Sequence, residues 1–156
     1  MEPLLVISLL LSFFTTLFFM PFWIKKVKQI GLVWEDMHKL GRERNVAGSG
    51  GMGVFFGFVL GILVYVAIKT FYIKSIENII EIFSILSTIS LIVLIGFIDD
   101  LFGWRHGGLS IRSRILMLVF ASIPLIIINA GKTNLFGFEL GLVYPLVIIP
   151  LGIIGA

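Results

Sequence analysis

The sequence predicts an all-α protein, a polytopic transmembrane helical bundle with four complete spans and a truncated fifth. Hydrophobic residues make up 58% of the chain and the mean hydropathy is +1.11, well above what a soluble domain carries. The apolar residues also fall into runs about as long as a bilayer is thick. A third observation is where the charge lies. Only 13% of residues are charged and they gather between the runs, so the net charge of +3 describes loops at a membrane surface and implies no nucleic acid. The absence of cysteine excludes disulfides and thiol chemistry.

The chain reads as one transmembrane domain over 1–156, the N-terminal portion of a larger multi-pass fold. Its first span is 4–24. Met1-Glu2-Pro3 offers no positive n-region and no small-residue cleavage site follows, so this span is expected to be retained. Lys25, Lys26 and Lys28 come next and place its C-terminal end in the cytoplasm and the N-terminus outside. From Gln29 to Gly51 runs the longest hydrophilic stretch, with Asp36-Met37-His38-Lys39 and Gly48-Ser49-Gly50-Gly51. Glycines let backbone N–H groups approach a ligand, and the helix that follows favours anions at its start, so Gly50 and Gly51 are candidate phosphate contacts. A flexible connector is the plain alternative. Lys39 is a candidate point charge for phosphate, or simply a solvated lysine.

The second span, 53–68, carries Gly53, Gly57 and Gly61 on one face, a helix-packing surface whose partner is expected among helices this chain lacks. Lys69, Tyr72, Lys74 and Glu77 form an outer turn, and the third span, 79–98, returns inward to Asp99-Asp100. Two carboxylates at a helix C-terminus add to the negative charge of its exposed carbonyls, and a cation relieves them. Hard oxygen ligands favour Mg²⁺ shared with substrate phosphates, making Asp99 and Asp100 the candidate metal ligands and catalytic centre. Adjacent helical positions point about 100° apart, so both can address one ion only where the helix unwinds, as Gly103 and Gly107-Gly108 would allow. The plain reading is that the pair ends a membrane helix in water and pairs with Arg105.

Ser110 is a suitable N-cap for a fourth span, 111–129, interrupted by Pro124. Arg112 and Arg114 in its first turn oppose the helix dipole unless they snorkel or meet an anion. A turn-rich outer loop, 130–141, suits a small hairpin. The fifth span, 142–156, covers about 22 Å of a hydrocarbon core about 30 Å thick, as expected of a truncated or split reading frame. With this topology the inner loops hold Lys25, Lys26, Lys28, Lys39, Arg42, Arg44, Arg105, Arg112 and Arg114, and the outer loops Lys69, Lys74 and Lys132. That asymmetry puts the glycine-rich loop and the Asp99-Asp100 centre on one cytoplasmic face.

Asp36-Met37-His38-Lys39 with Gly48-Ser49-Gly50-Gly51-Met52-Gly53, followed by Gly96-Phe97-Ile98-Asp99-Asp100, resembles the polyprenyl-phosphate N-acetylhexosamine-1-phosphate transferases in order, spacing and facing. Trp104-Arg105-His106 is similar to the eukaryotic and archaeal branch using dolichyl phosphate and UDP-N-acetylglucosamine. There a lysine follows the Arg-His pair, whereas this chain has Gly107, leaving Arg112 or Arg114 to supply that charge. The resemblance implies an Mg²⁺-dependent phospho-sugar transferase acting on a nucleotide sugar and a polyprenyl-phosphate lipid in the membrane. It also implies that Asp99, Asp100 and Lys39 are catalytic and that Arg105, His106, Arg112, Arg114, Gly50 and Gly51 bind substrate. The setting is the cell membrane in a prokaryote and the endoplasmic reticulum in a eukaryote. The family's later motifs lie beyond this chain, so the expected partner is a C-terminal half or a second copy in a homodimer. Two other classes compete. A transporter or channel fragment would place Asp99 and Asp100 at mid-membrane, and an inactive structural fragment would tolerate their loss.

Overall fold

The computed structural model describes residues 3–34, 46–106, 108–131, 134–135 and 138–155. Four helices are long and apolar enough to cross a membrane, and between 11% and 22% of each one's most apolar window is buried within the protein. Most of their side chains therefore face outward, as suits a chain solvated by lipid. The chain divides into two compact units, Met1–Ile76 with Phe97–Gly108, and Glu77–Gly96 with Leu109–Ala156.

In the first unit, helix α1 spans Pro3–Gln29, with Lys26 and Lys28 in its last turn. Long unbranched lysines continue a helix readily, and their charge suits a helix C-terminus, so α1 outruns the expected end at residue 24. Gly31 stops it at φ 80°. The Gly31 N–H donates to the Lys28 carbonyl at 3.2 Å and the Leu32 N–H to the Val27 carbonyl at 3.1 Å, the paired bonds of a Schellman motif. The apolar contact that accompanies this motif is made by Val27 and Leu32, each only 2% exposed. Strand β1 (Val33–Trp34) then pairs antiparallel with β2 (Val46–Ala47) in the register Val33↔Ala47 and Trp34↔Val46. A two-rung ladder thus closes the neck of the 35–45 stretch.

Helix α2 spans Gly50–Ala67 and runs on as a π-helical turn, Ile68–Tyr72. It packs on α1 through its buried glycines. A Cβ on Gly53 would meet the Met20 side chain at 2.8 Å, one on Gly57 the Ser12 carbonyl oxygen at 2.8 Å, and one on Gly61 the Ser8 carbonyl oxygen at 2.8 Å. The expectation that this stripe lacks its partner here is therefore corrected: α1 occupies it. The reason lies in α1's own small residues, Ser8, Ser12 and Thr16, spaced four apart to match. Ser8 Oγ donates to the Leu4 carbonyl at 3.0 Å and Thr16 Oγ1 to the Ser12 carbonyl at 2.8 Å, so both hydroxyls are satisfied within the helix and the backbones can close up.

Helix α3, Ile79–His106, is continuous. The expected end at residue 98 and the unwinding at Gly103 are both corrected, because the helix carries through Asp99, Asp100 and Gly103. Within the second unit α3 meets helix α5, where Ser84 Oγ donates to the Pro124 carbonyl at 2.6 Å. Helix α4 spans Ile111–Ala121, and the Ser113 N–H donates to Ser110 Oγ at 3.2 Å in an N-cap bond. It gives way at Ser122, which is fully buried, to α5, Ile123–Ile128, with Pro124 in its first turn. Proline donates no N–H to the preceding turn, which accounts for the break. A short antiparallel pair follows, β3 (Asn134–Leu135) with β4 (Phe138–Glu139), then a π-helical turn, Tyr144–Ile148, and helix α6, Ile149–Gly155.

Candidate functional site

Asp99 and Asp100 lie nearly two turns before the end of α3, both half-buried. Consecutive helical positions send their carboxylates about 100° apart, and the surroundings follow that divergence. Asp100 turns toward the start of α2, where its Oδ2 accepts a 2.9 Å hydrogen bond from Ser49 Oγ. Asp99 turns toward the segment leaving α3. A Cβ on Gly108, which sits at φ +84°, would come 3.2 Å from Asp99 Oδ1 and 3.8 Å from the Gly103 Cα. The chain therefore doubles back beside the aspartate at a position that requires glycine for both its backbone angle and its clearance.

Ser49 precedes α2 in the left-handed region, at φ 53° and ψ 34°, and its side chain makes no capping bond to the helix. Its hydroxyl is committed to Asp100, while its carbonyl accepts a 3.1 Å hydrogen bond from Trp23 Nε1 near the end of α1. Helix starts present N–H groups that attract anions. Beside this start, none of the described residues lies within 4 Å of where a Cβ on Gly50 or Gly51 would stand, which leaves room beside them for a ligand. The structure thus joins two separated stretches of sequence, the glycine-rich motif and the acidic pair, at the same end of the α1, α2 and α3 segments that make up the first unit.

Other expected site residues are placed differently. Lys39 and the rest of Asp36-Met37-His38-Lys39 lie outside the described residues. Arg105 and His106 form the last turn of α3, and only their backbone is described. Arg112 and Arg114 are exposed in the first turn of α4, in the second unit. Sequence reasoning quoted Ser49 only as part of a glycine-rich run and passed over Trp23. A serine just before an apolar run signals an N-cap, but nothing local indicates that its hydroxyl turns to a residue 51 positions away. An apolar groove of about 320 Å³ along α1 includes none of the expected site residues. Its lining of Phe13, Thr16, Leu17, Met20, Pro21 and Ile24 suits hydrocarbon.

Among the described residues no group of three or more His, Cys, Asp or Glu side chains could hold a metal, so these residues form no all-protein cage. What they offer is two adjacent hard-oxygen carboxylates, the ligand type that Mg²⁺ takes when it keeps waters and shares substrate phosphates.

No protein-family model matches the chain, and no solved structure matches it. Among proteins of known sequence, it is 29% identical over 151 residues to a protein of Sulfolobus acidocaldarius provisionally named UDP-N-acetylglucosamine–dolichyl-phosphate N-acetylglucosaminephosphotransferase, covering 94% of this chain and 44% of that protein. A protein of the same provisional name from Saccharolobus solfataricus is 26% identical, covering 94% and 43%. The phospho-N-acetylmuramoyl-pentapeptide-transferase of Streptococcus pyogenes is 26% identical over 150 residues, covering 89% and 44%. The chain spans less than half the length of these curated relatives. Over nearly all of its own length, therefore, it matches the polyprenyl-phosphate N-acetylhexosamine-1-phosphate transferases that its two loop motifs resemble.

Proposed function

We propose that this chain supplies the first part of a membrane enzyme that transfers N-acetylglucosamine-1-phosphate from UDP-N-acetylglucosamine to a polyprenyl phosphate of the dolichyl type. An oxygen of the lipid phosphate attacks the β-phosphorus of the donor. A new P–O bond forms, the bond from that phosphorus to the bridging oxygen breaks, and UMP leaves with the bridging oxygen. The observation that carries this reading is the contact between Ser49 and Asp100, which puts an open helix start and a carboxylate pair side by side. Phosphoryl transfer needs alignment and neutralisation of charge more than covalent help from the protein.

The charges themselves argue for a cation. A phosphate held at the Gly50 and Gly51 N–H groups would stand beside the Asp100 carboxylate, and two anions at such range repel unless something positive lies between them. Because α3 does not unwind there, Asp99 and Asp100 diverge, and they would hold Mg²⁺ in that position with one carboxylate binding directly and the other through water. When bound, Mg²⁺ would neutralise charge building on the diphosphate and the leaving UMP. Gly50 and Gly51 would orient a phosphate, and the family resemblance assigns Lys39 to catalysis and Arg105, His106, Arg112 and Arg114 to substrate binding. The ratio of inner to outer basic residues supports a cytoplasmic active face with the N-terminus outside.

The test is release of UMP from UDP-N-acetylglucosamine with Mg²⁺ and a polyprenyl phosphate, by the chain in membranes alone and co-expressed with a homologous C-terminal half. Transfer is expected only with the added half, and Asp99→Asn and Asp100→Asn are each expected to lower it by orders of magnitude. Near-normal transfer by both variants would reject the carboxylate centre. Robust turnover by the 156-residue chain alone would show that its own residues complete the site.

A further inference from the structure

The geometry points to Ser49 as a positioning residue for Asp100, fixing which carboxylate oxygen is left for the metal. The inference rests on the proposed metal role of Asp100. Ser49 holds a left-handed backbone at φ 53°, which disfavours a non-glycine residue, in a chain with glycine on either side of this position. If a tight turn were the only requirement, glycine would serve better. The serine hydroxyl also forgoes the usual stabilising capping bond to α2. Two local preferences are set aside for one bond, Ser49 Oγ to Asp100 Oδ2 at 2.9 Å.

That bond is itself held in place. Ser49 is 9% exposed, and Trp23 Nε1 donates to its carbonyl, anchoring the turn to α1. Trp23 in turn stacks on Phe19, with ring centroids 6.0 Å apart, and Phe19 packs on Phe56 of α2 at 5.4 Å. With Oδ2 accepting from the hydroxyl, Oδ1 of Asp100 is the oxygen that the Ser49 bond leaves uncommitted. Groups that orient a metal-binding carboxylate in this way typically change metal affinity 10- to 100-fold when removed.

The experiment measures Mn²⁺ affinity by electron paramagnetic resonance on the purified chain in lipid nanodiscs. It compares wild type, Ser49→Ala, Ser49→Gly, Ser49→Asn and Asp100→Asn, with helical content checked by circular dichroism. Ser49→Gly relieves the backbone and removes the hydroxyl; Ser49→Asn tolerates the left-handed region and restores a donor. The expected result is about tenfold weaker Mn²⁺ binding in both the alanine and glycine variants, recovery to within about threefold in the asparagine variant, and unchanged helicity throughout. Wild-type affinity in the glycine variant would overturn the proposal, because the hydroxyl would then be dispensable. If Asp100→Asn weakens Mn²⁺ binding while both Ser49→Ala and Ser49→Gly leave it intact, the positioning role alone falls. If Asp100→Asn has no effect, the metal reading falls and the positioning role with it.

Discussion

Gly57 of α2 meets Ser12 of α1 at backbone contact: a Cβ added to Gly57 would stand 2.8 Å from the Ser12 carbonyl oxygen. A carbonyl cannot swing aside as a side chain can, so any residue larger than glycine must push the helices apart. Gly57→Ala is expected to destabilise the α1–α2 pair by about 1–3 kcal/mol, and Gly61→Leu by more. Gly96 in α3 has nothing within 4 Å of a Cβ position, so Gly96→Ala is the matched control and is expected to be neutral or stabilising by up to about 1 kcal/mol. Thermal unfolding in detergent reads all three. Equal midpoints for Gly57→Ala and Gly96→Ala would show that the two helices are not in backbone contact.

Gly108 permits a second test, centred on the other carboxylate. At φ +84° an alanine would be strained by about 1–2 kcal/mol, and its Cβ would press on Asp99 Oδ1 at 3.2 Å. The segment or the aspartate must shift, and small displacements at a phosphoryl-transfer centre are costly. In the enzyme proposed above, Gly108→Ala is expected to lower UMP release by about tenfold, the equivalent of about 1.4 kcal/mol in the barrier, and to lower the thermal midpoint by a few degrees. Gly131→Ala, at a position with open space around it, is expected to do neither. Full transfer activity in Gly108→Ala would mean that the placement of Asp99 is not critical.

Orientation can be tested on the cysteine-free background. Single cysteines at positions 42 and 104 are expected to react with an impermeant thiol reagent from the cytoplasmic side, and those at 74 and 132 from outside. The warrant is the excess of lysine and arginine in the loops assigned to the inner face. Labelling of positions 42 and 74 from the same side would overturn that topology.

Length and apolarity made the spans legible in the sequence, as did local signals such as Ser110, which caps α4, and Pro124, which interrupts the fourth span. The glycine stripe of α2 was legible as a packing face. Its partner was not identified, because Ser8, Ser12 and Thr16 look like minor polar interruptions in an apolar run until the hydroxyls of Ser8 and Thr16 are seen bonded back to the helix. The end of α3 was misjudged for a related reason. Two aspartates suggest a terminus by their charge, but Leu101 and Phe102 continue the helix and a lone glycine at 103 does not stop it. The left-handed turn at Ser49 and its reach to Asp100 depend on a contact across 51 residues, which no local pattern encodes.

The unbroken course of α3 makes it a depth gauge. From Ile79 to Asp99 the helix rises about 30 Å, one hydrocarbon thickness of an average bilayer, so a bilayer that begins at Ile79 would end at the first carboxylate. A thicker membrane would draw the acidic pair toward a medium that penalises charge, and a thinner one would lift it into water. For the acceptor proposed above, a lipid phosphate at the headgroup boundary, acyl-chain length in the host bilayer would set how nearly the carboxylates and that phosphate share one level.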